Sequence, residues 1–343
     1  MKYNSEIINK KLKKFINLSN SLATTHPAIV VICFHDFFRN LYISDPYIKK
    51  RFSKDPYKNI LLVLNNCISF LSYGKNLGSY LTNKKNFFKE KKISTSELYG
   101  SLWQDRYDNN VLNSSNEFKK FLKRSKINLR NFKDKVILDM GCGSGRFSSE
   151  LASFKAKKVY GVDSSVYGLQ IAKKFAKEKK VNNLEFKHAS VLNLPFKNEK
   201  FDYVFCKGVL HHTKNLKKGL EEFYRVMKKK GGGYLYLYGS GGIFWNSRKM
   251  MRKVMKKIPY KKAFDTLKIL EMPAHRTIFL DSWYVEIEKH VSQKYLENWF
   301  KKKKLKFVKY KNPLSIELEY AQNYKFFKQI YGDGELRYFI TKP

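Results

Sequence analysis

The chain has 343 residues, 43% of them hydrophobic and 16% aromatic, and a formal net charge of +40. Its length exceeds one ordinary core and fits one large domain, or a domain with additions. Its four cysteines, Cys33, Cys67, Cys142 and Cys206, form no CxxC pair, which argues against a structural zinc site or a disulfide framework and suits a reducing cytoplasm.

The longest pure apolar run, Ala28 to Phe34, is far short of the roughly 18–20 residues a membrane span needs. The opening "MKYNSEIINKKLKKF" has no apolar stretch behind its charges, so no secretory signal is expected and a cytoplasmic location is. The charge resembles a nucleic-acid signal, but it is spread evenly: +15 over residues 1–134, +12 over 135–240 and +13 over 241–343. Lys outnumbers Arg 58 to 11, and Asn, Ile, Phe and Tyr are abundant, as an AT-rich genome would give. Arg is the residue that phosphate and base recognition favours. Nucleic acid is therefore the less favoured partner, with loose attraction to anionic surfaces at low salt. No oligomeric state is implied.

Residues 1–95 read as helical and carry no nameable motif. "THPAIVVICFHDFFRNL" begins a helix, with Thr25 as N-cap and Pro27 near its first turn. "KNILLVLNNCISFLSY" has apolar residues on more than one face and reads as a buried helix. His26 and His35 read as ordinary core or surface histidines. "ELYGSLWQDRYDNN", 97–110, reads as an aromatic connecting stretch, and "SSNEFKKFLKRSKI" as a helix with a serine cap.

From 135 the pattern alternates. Strands are expected at 135–139, 158–162, 184–188, 201–206 and 232–238, and helices at 146–154, 165–179 and 216–228. Such alternation means a parallel sheet with helices on both faces. Residues 241–291, rich in Lys, aromatics and Met, interrupt it; "IFWNSRKMMRK" within them reads as a lid helix. A helix near 292–302, a strand at 305–310 and a last strand at 335–342 resume it. The lysines at 301–304 read as a solvated helix end complementing the dipole.

The stretch "VILDMGCGSGRFSSELA", 136–152, is the chemical centre. Gly141, Gly143 and Gly145 follow a buried apolar strand and precede a helix, a turn that lets backbone approach a ligand. The next strand, "KKVYGVDSS", ends in Asp163, placed to accept from ribose hydroxyls. An acid there serves a nicotinamide dinucleotide or S-adenosyl-L-methionine (SAM) equally.

Three downstream stretches follow: "FKHASVLNLPF", "KFDYVFCKGVLHH" and "FYRVMKKKGGGYLYLYG". With them the chain strongly resembles the class I SAM-dependent methyltransferases, in their type-11, UbiE-like branch. The resemblance covers residues 130–240 well and the last two strands more loosely. It implies a Rossmann-like α/β fold with a seven-stranded sheet, mostly parallel with the last strand antiparallel. The expected organisation is an N-terminal helical extension (1–95), a SAM-binding core (96–240), a substrate-covering insertion (241–291) and the end of the sheet (292–343); the extension and the insertion are not covered by the resemblance.

The resemblance places SAM as follows. Asp139, Gly141, Cys142, Gly143 and Gly145 cradle its methionine end, and N–H groups near Arg146 face its carboxylate. Asp163 grips the ribose beside Ser164. Ser190 and Val191 border the adenine, while Cys206 and Lys207 face the sulfonium. Two features depart from the pattern. Ser190 stands where many relatives carry an acid, which implies adenine binding weaker by about 1 kcal/mol. "KKKGGG" replaces Lys-Pro-Gly-Gly, loosening a turn but not the site.

Methyl transfer from a sulfonium is an in-line displacement, and the protein mainly aligns the nucleophile. A general base is needed only if the acceptor is protonated, and His211 and His212 are the candidates; the other reading is that "LHH" belongs to the fold's helix-entry signature, with one ring stacking under SAM. The insertion clusters His275, Asp281, Trp283 and Tyr284, which read either as an aromatic wall with Asp281 or His275 orienting the acceptor or, with Trp283 and Tyr284, as anchors of the insertion on the sheet. No metal is expected. "VFCKG" lacks the Pro-Cys of cytosine C5 chemistry, and no Pro-Pro-aromatic sequence of adenine N6 chemistry follows the fourth strand. The expected function is methylation of a small-molecule acceptor: a sugar, a lipid precursor or a secondary metabolite. The alternatives are RNA methylation and SAM binding without catalysis.

Overall fold

The computed structural model describes residues 5–42, 56–81, 93–109, 132–271, 273–309 and 324–343. The helix expected at "SSNEFKKFLKRSKI" lies outside them. The chain divides into two compact units.

The first comprises residues 1–93, 241–284 and 313–332. Its described helices are α1 (Ser5–Leu22), α2 (Pro27–Tyr42), α3 (Pro56–Leu81), α8 (Gly242–Met255), α9 (Tyr260–Leu270), α10 (Pro273–Tyr284) and α12 (Tyr324–Tyr331). Aromatic rings form its core: Phe15 packs on Phe34 and Phe37, Phe38 on Phe244 and Phe279, and Phe34 on Trp283. A buried carboxylate, Glu271, accepts from Arg39 and pairs with His35, each at 2.8 Å. Burial, the larger effect, lowers the His35 pKa, while Glu271 opposes it. The helix expected at Pro27 starts there, but Thr25 does not cap it: the Thr25 hydroxyl donates back to the Leu22 carbonyl. The second expected helix, α3, is not buried all round, since Leu62, Phe70 and Tyr73 are exposed.

The second unit comprises residues 94–240, 285–312 and 333–343. It begins with α4 (Thr95–Asp108), a helix where the sequence suggested a connecting stretch. Ser94 accepts from the Glu97 amide and Glu97 accepts from the Ser94 amide, a capping box that satisfies two donors at the helix start. Then come β1 (Val136–Met140), α5 (Arg146–Ser153), β2 (Lys158–Asp163), α6 (Val166–Glu178), β3 (Leu184–His188) and β4 (Phe201–Lys207). A single 3₁₀ turn (Leu210–His212), α7 (Leu216–Val226), β5 (Met227–Tyr238), α11 (Gln293–Lys302), β6 (Lys306–Lys309) and β7 (Glu335–Thr341) complete it.

The seven strands lie in the order β3-β2-β1-β4-β5-β7-β6. β7 runs antiparallel to both neighbours and the other pairs are parallel. The expected architecture is therefore present, with the order reversing at β1 and β4, where an open α/β sheet leaves a crevice beyond its carboxyl ends. β1 sits at the centre because its apolar residues Ile137, Leu138 and Met140 are wholly buried, as a parallel strand covered on both faces requires. Leu138, Met140, Val204, Cys206, Leu235 and Leu237 face one core with α7 and α11. Ile137, Val159, Phe205 and Tyr234 face the other with Leu151 of α5.

Candidate active site

The loop after β1 is shaped by left-handed backbone. Gly141 and Gly143 have φ of +84° and +51°, a region that costs other L-residues roughly 1–2 kcal/mol. Neighbouring groups crowd the same atoms. A Cβ on Gly141 would lie 2.3 Å from Val209, and one on Gly143 would lie 2.8 Å from the Trp103 indole nitrogen.

Trp103 is brought there by α4. That helix packs closely on α6, where a Cβ on Gly100 would stand 2.9 Å from the Tyr167 Cβ. Trp103 and Tyr107 then pack against Ile171 and Phe175. Tyr99, one turn before Trp103, stacks on it and reaches the His212 ring, with centroids 5.8 Å apart. Sequence reasoning missed Trp103 and Tyr99. The signal was present as a Ser-x-x-Glu box with aromatics four residues apart at 99, 103 and 107.

At the end of β2, the Asp163 carboxylate accepts from two backbone amides at 2.8 Å each, Gly143 N–H through Oδ2 and Ser165 N–H through Oδ1. It thus ties the glycine loop to the start of α6. Burial raises its pKa, and these amides oppose the rise. The Ser164 amide is a third donor to it, which leaves capacity for a hydroxyl donor, and the residue is half-buried rather than sealed. The Ser164 side chain beside it is exposed, and its carbonyl meets His188 Nε2 at 3.1 Å.

At the end of β1, Asp139 is buried and accepts from the Ser148 hydroxyl at 2.6 Å. Burial outweighs that bond and the nearby Lys207, and pushes its pKa up to about 6. Lys207, exposed at the end of β4, holds its ammonium 5.5 Å from the Phe147 ring centre. Cys142 and Cys206 are buried thiols whose pKa burial raises, which opposes a nucleophilic thiolate. Cys206 points into the core, so only its backbone faces the crevice, and Val191 is buried likewise. Ser190 is exposed, and its hydroxyl accepts from the Leu192 amide at 3.1 Å.

The 3₁₀ turn carries both histidines. The His211 ring is wholly buried and stacks on Tyr238 with centroids 3.7 Å apart, and the Tyr238 amide donates to its Nδ1 at 3.3 Å. His212 is half-buried, and its Nδ1 meets the Ile287 carbonyl at 2.9 Å.

The structure brings Asp139, the glycines, Asp163, Lys207 and the two histidines to one edge of one unit. The expected acceptor residues lie in the other unit. There Trp283 is wholly buried between Phe34 and Phe279. The Tyr284 hydroxyl donates to the Ile258 carbonyl at 2.9 Å, and Asp281 lies 3.8 Å from Arg248. The side chain of His275 lies outside the described residues. Among the described residues no cluster has the composition of a metal site, and no helix is long and apolar enough to cross a membrane.

The model of the methyltransferase domain matches residues 131–304, half of the chain. The chain belongs to the methyltransferase-domain family. Similar proteins include the uncharacterized methyltransferase YcgJ of Bacillus subtilis, 32% identical over 28% of this chain and 37% of YcgJ. A tRNA U34 carboxymethyltransferase of Campylobacter fetus is 34% identical over 29% of this chain and 36% of its own. A demethylmenaquinone methyltransferase of Geobacillus is 31% identical over 35% of this chain and 53% of its own. The chain thus spans between about a third and about half of these relatives' lengths. The crystal structure of YcgJ superposes with a TM-score of 0.43 and 16% identity, over 64% of this chain and 96% of that one.

The residues present fit SAM. A carboxylate at the end of β2 is open to a hydroxyl donor, the left-handed loop admits no side chain at Gly141 and Gly143, and the Ser164 and Ser190 side chains are exposed.

Proposed function

We propose that the protein transfers the methyl group of SAM to a small-molecule acceptor at the crevice beyond the ends of β1, β2 and β4. The observation that carries this reading is Asp163, pinned by the Gly143 and Ser165 amides beside the left-handed loop. When bound, SAM supplies an activated methyl group on a sulfonium. The chain's own residues bind and orient it. Asp163 accepts from the ribose hydroxyls. The loop from Gly141 to Gly145 and the start of α5 receive the amino-acid end, with Asp139 as the anion facing its ammonium. The Ser190 hydroxyl and the Val191 backbone border the adenine. Trp103 and Tyr99 wall the crevice on the α4 side and limit water. His211 and His212 stand beside that wall as the groups able to handle an acceptor proton. A role toward the acceptor stays proposed for His275 and Asp281, whereas Trp283, wholly buried between Phe34 and Phe279, and Tyr284, donating to the Ile258 carbonyl, are packing groups of the first unit.

An RNA acceptor is the second reading, favoured by the +40 charge and by a relative named for a tRNA substrate. Methyl transfer from radiolabelled SAM distinguishes the two, using a small-molecule extract and total RNA at 50 and 300 mM salt as added conditions. Labelled small-molecule product with weak salt dependence supports the first reading. Label in RNA, falling steeply with salt, replaces it with the second.

A further inference from the structure

Exposed apolar side chains cluster in the first unit. Among the described residues ten large hydrophobic side chains stand exposed, and five of them belong to α1, α2 and α3: Ile7, Ile32, Leu62, Phe70 and Tyr73. Scattered single residues of this kind are ordinary, whereas a contiguous group marks an interaction surface. On α3, Leu62, Phe70 and Tyr73 are 52%, 49% and 64% exposed. At about 3.6 residues per turn they fall within an arc of about 80° and along roughly 17 Å of the helix. Their neighbours on that arc, Asn66 and Ser69, are exposed too.

α1 and α2 border this stripe. On one side the Lys11 ammonium donates to Asn65 Oδ1 at 2.6 Å, and Ile7 and Lys14 share that face of α1. On the other, a Cβ on Gly74 would lie 3.4 Å from Ile29, and the Cys67 thiol donates to the Cys33 carbonyl at 3.6 Å. Those two contacts run antiparallel and bring Ile32 level with Phe70. Lys10, Lys13 and Lys14 are exposed along α1, and Lys58 and Lys75 along α3. The acids of the three helices are Glu6 and Asp36. The face is thus an apolar stripe bordered by ammonium groups on flexible apolar stems.

We propose that this face of α1, α2 and α3 docks on an anionic lipid surface. Leu62, Phe70 and Tyr73 enter the boundary between headgroups and acyl chains, and the bordering lysines lay their stems along it with their ammonium groups on the lipid phosphates. The occupant follows from the pairing of the two features. A nucleic acid would meet the lysines but leave the apolar stripe nothing to bury against. A second copy of the chain would bring together two lysine-bordered faces on two molecules of charge +40, which repel. An anionic bilayer supplies apolar depth and negative charge at once. The docking is at the surface, since no described helix is long and apolar enough to cross.

The test uses the full chain and vesicles of phosphatidylcholine, with and without phosphatidylglycerol, at about 100 and about 500 mM salt. Co-sedimentation is expected with the phosphatidylglycerol vesicles and not with phosphatidylcholine alone. Leu62→Ser combined with Phe70→Ser should weaken it at least tenfold, with circular dichroism unchanged. Because charge alone could hold so basic a chain on such vesicles, a local readout decides which face is down. All four native cysteines are buried, so Tyr73→Cys and, as a control in the second unit, Val308→Cys each take an environment-sensitive dye at one exposed position. The dye at position 73 should brighten and shift to the blue on phosphatidylglycerol vesicles, persisting in part at high salt, and the dye at position 308 should not. Equal shifts at both positions, or unchanged binding by the folded double variant, overturn the proposal in favour of attraction by overall charge. No vesicle binding overturns it outright. A shift at position 73 that appears without lipid and grows with protein concentration assigns the face to a second copy and overturns it too.

Discussion

Asp139 should make the folded protein less stable at neutral pH, and its replacement by asparagine should make it more stable. The carboxylate is buried, and the Ser148 hydroxyl and Lys207 only partly offset its desolvation. Its pKa rises from the ordinary value near 4 to about 6 in the folded chain. The folded state therefore binds this proton more tightly than the unfolded state. Stability from this group is fully present below pH 4 and is lost as pH rises from 4 through 6, after which the penalty is constant. Two pH units of separation correspond to about 3 kcal/mol. Asp139→Asn keeps the shape and an oxygen for Ser148 but carries no charge. It should raise stability by up to about 3 kcal/mol at pH 7.5 and by little near pH 4. Urea melts at both pH values measure this, and calorimetry at pH 7.5 should show SAM binding weakened at least tenfold. Destabilisation by more than about 1 kcal/mol at pH 7.5, or a difference that ignores pH, would refute the reasoning.

Two further substitutions probe the loop and the helix over it. Gly143→Ala meets a φ of +51° and the Trp103 indole at 2.8 Å; it should cost roughly 2–4 kcal/mol in a thermal melt and weaken S-adenosylhomocysteine binding. Ser94→Ala removes the capping box of α4 and should cost about 1 kcal/mol, with faster amide hydrogen exchange at residues 97 and 98 as the local readout.

The sheet was legible because buried parallel strands are continuous apolar runs, and the runs at 136–140, 158–163 and 201–207 are bounded by turn residues. The glycine loop and Asp163 were legible because their roles need particular residue types at particular spacing. β5 was less so. It begins at Met227 rather than 232, because its pairing with β4 shifts register between Phe201 and Tyr203 and carries the lysines at 228–230 through an irregularity. Helix α4 was hidden because its apolar residues lie on two faces: Leu98 and Leu102 are buried, while Trp103 and Tyr107 pack on α6. No single stripe marks it. The Ile287 carbonyl that orients His212 is a backbone group 75 residues away in the chain, and no residue type announces it.

Binding of the adenosyl group at Asp163 is the central claim. Calorimetric titration of the full chain with SAM, S-adenosylhomocysteine and NADH, alongside Asp163→Ala, tests it most directly. Micromolar binding of both adenosyl ligands, none of NADH, and loss of at least 100-fold in affinity in the variant are expected. Unchanged affinity in a folded variant, or no adenosyl binding by the native chain, would contradict it.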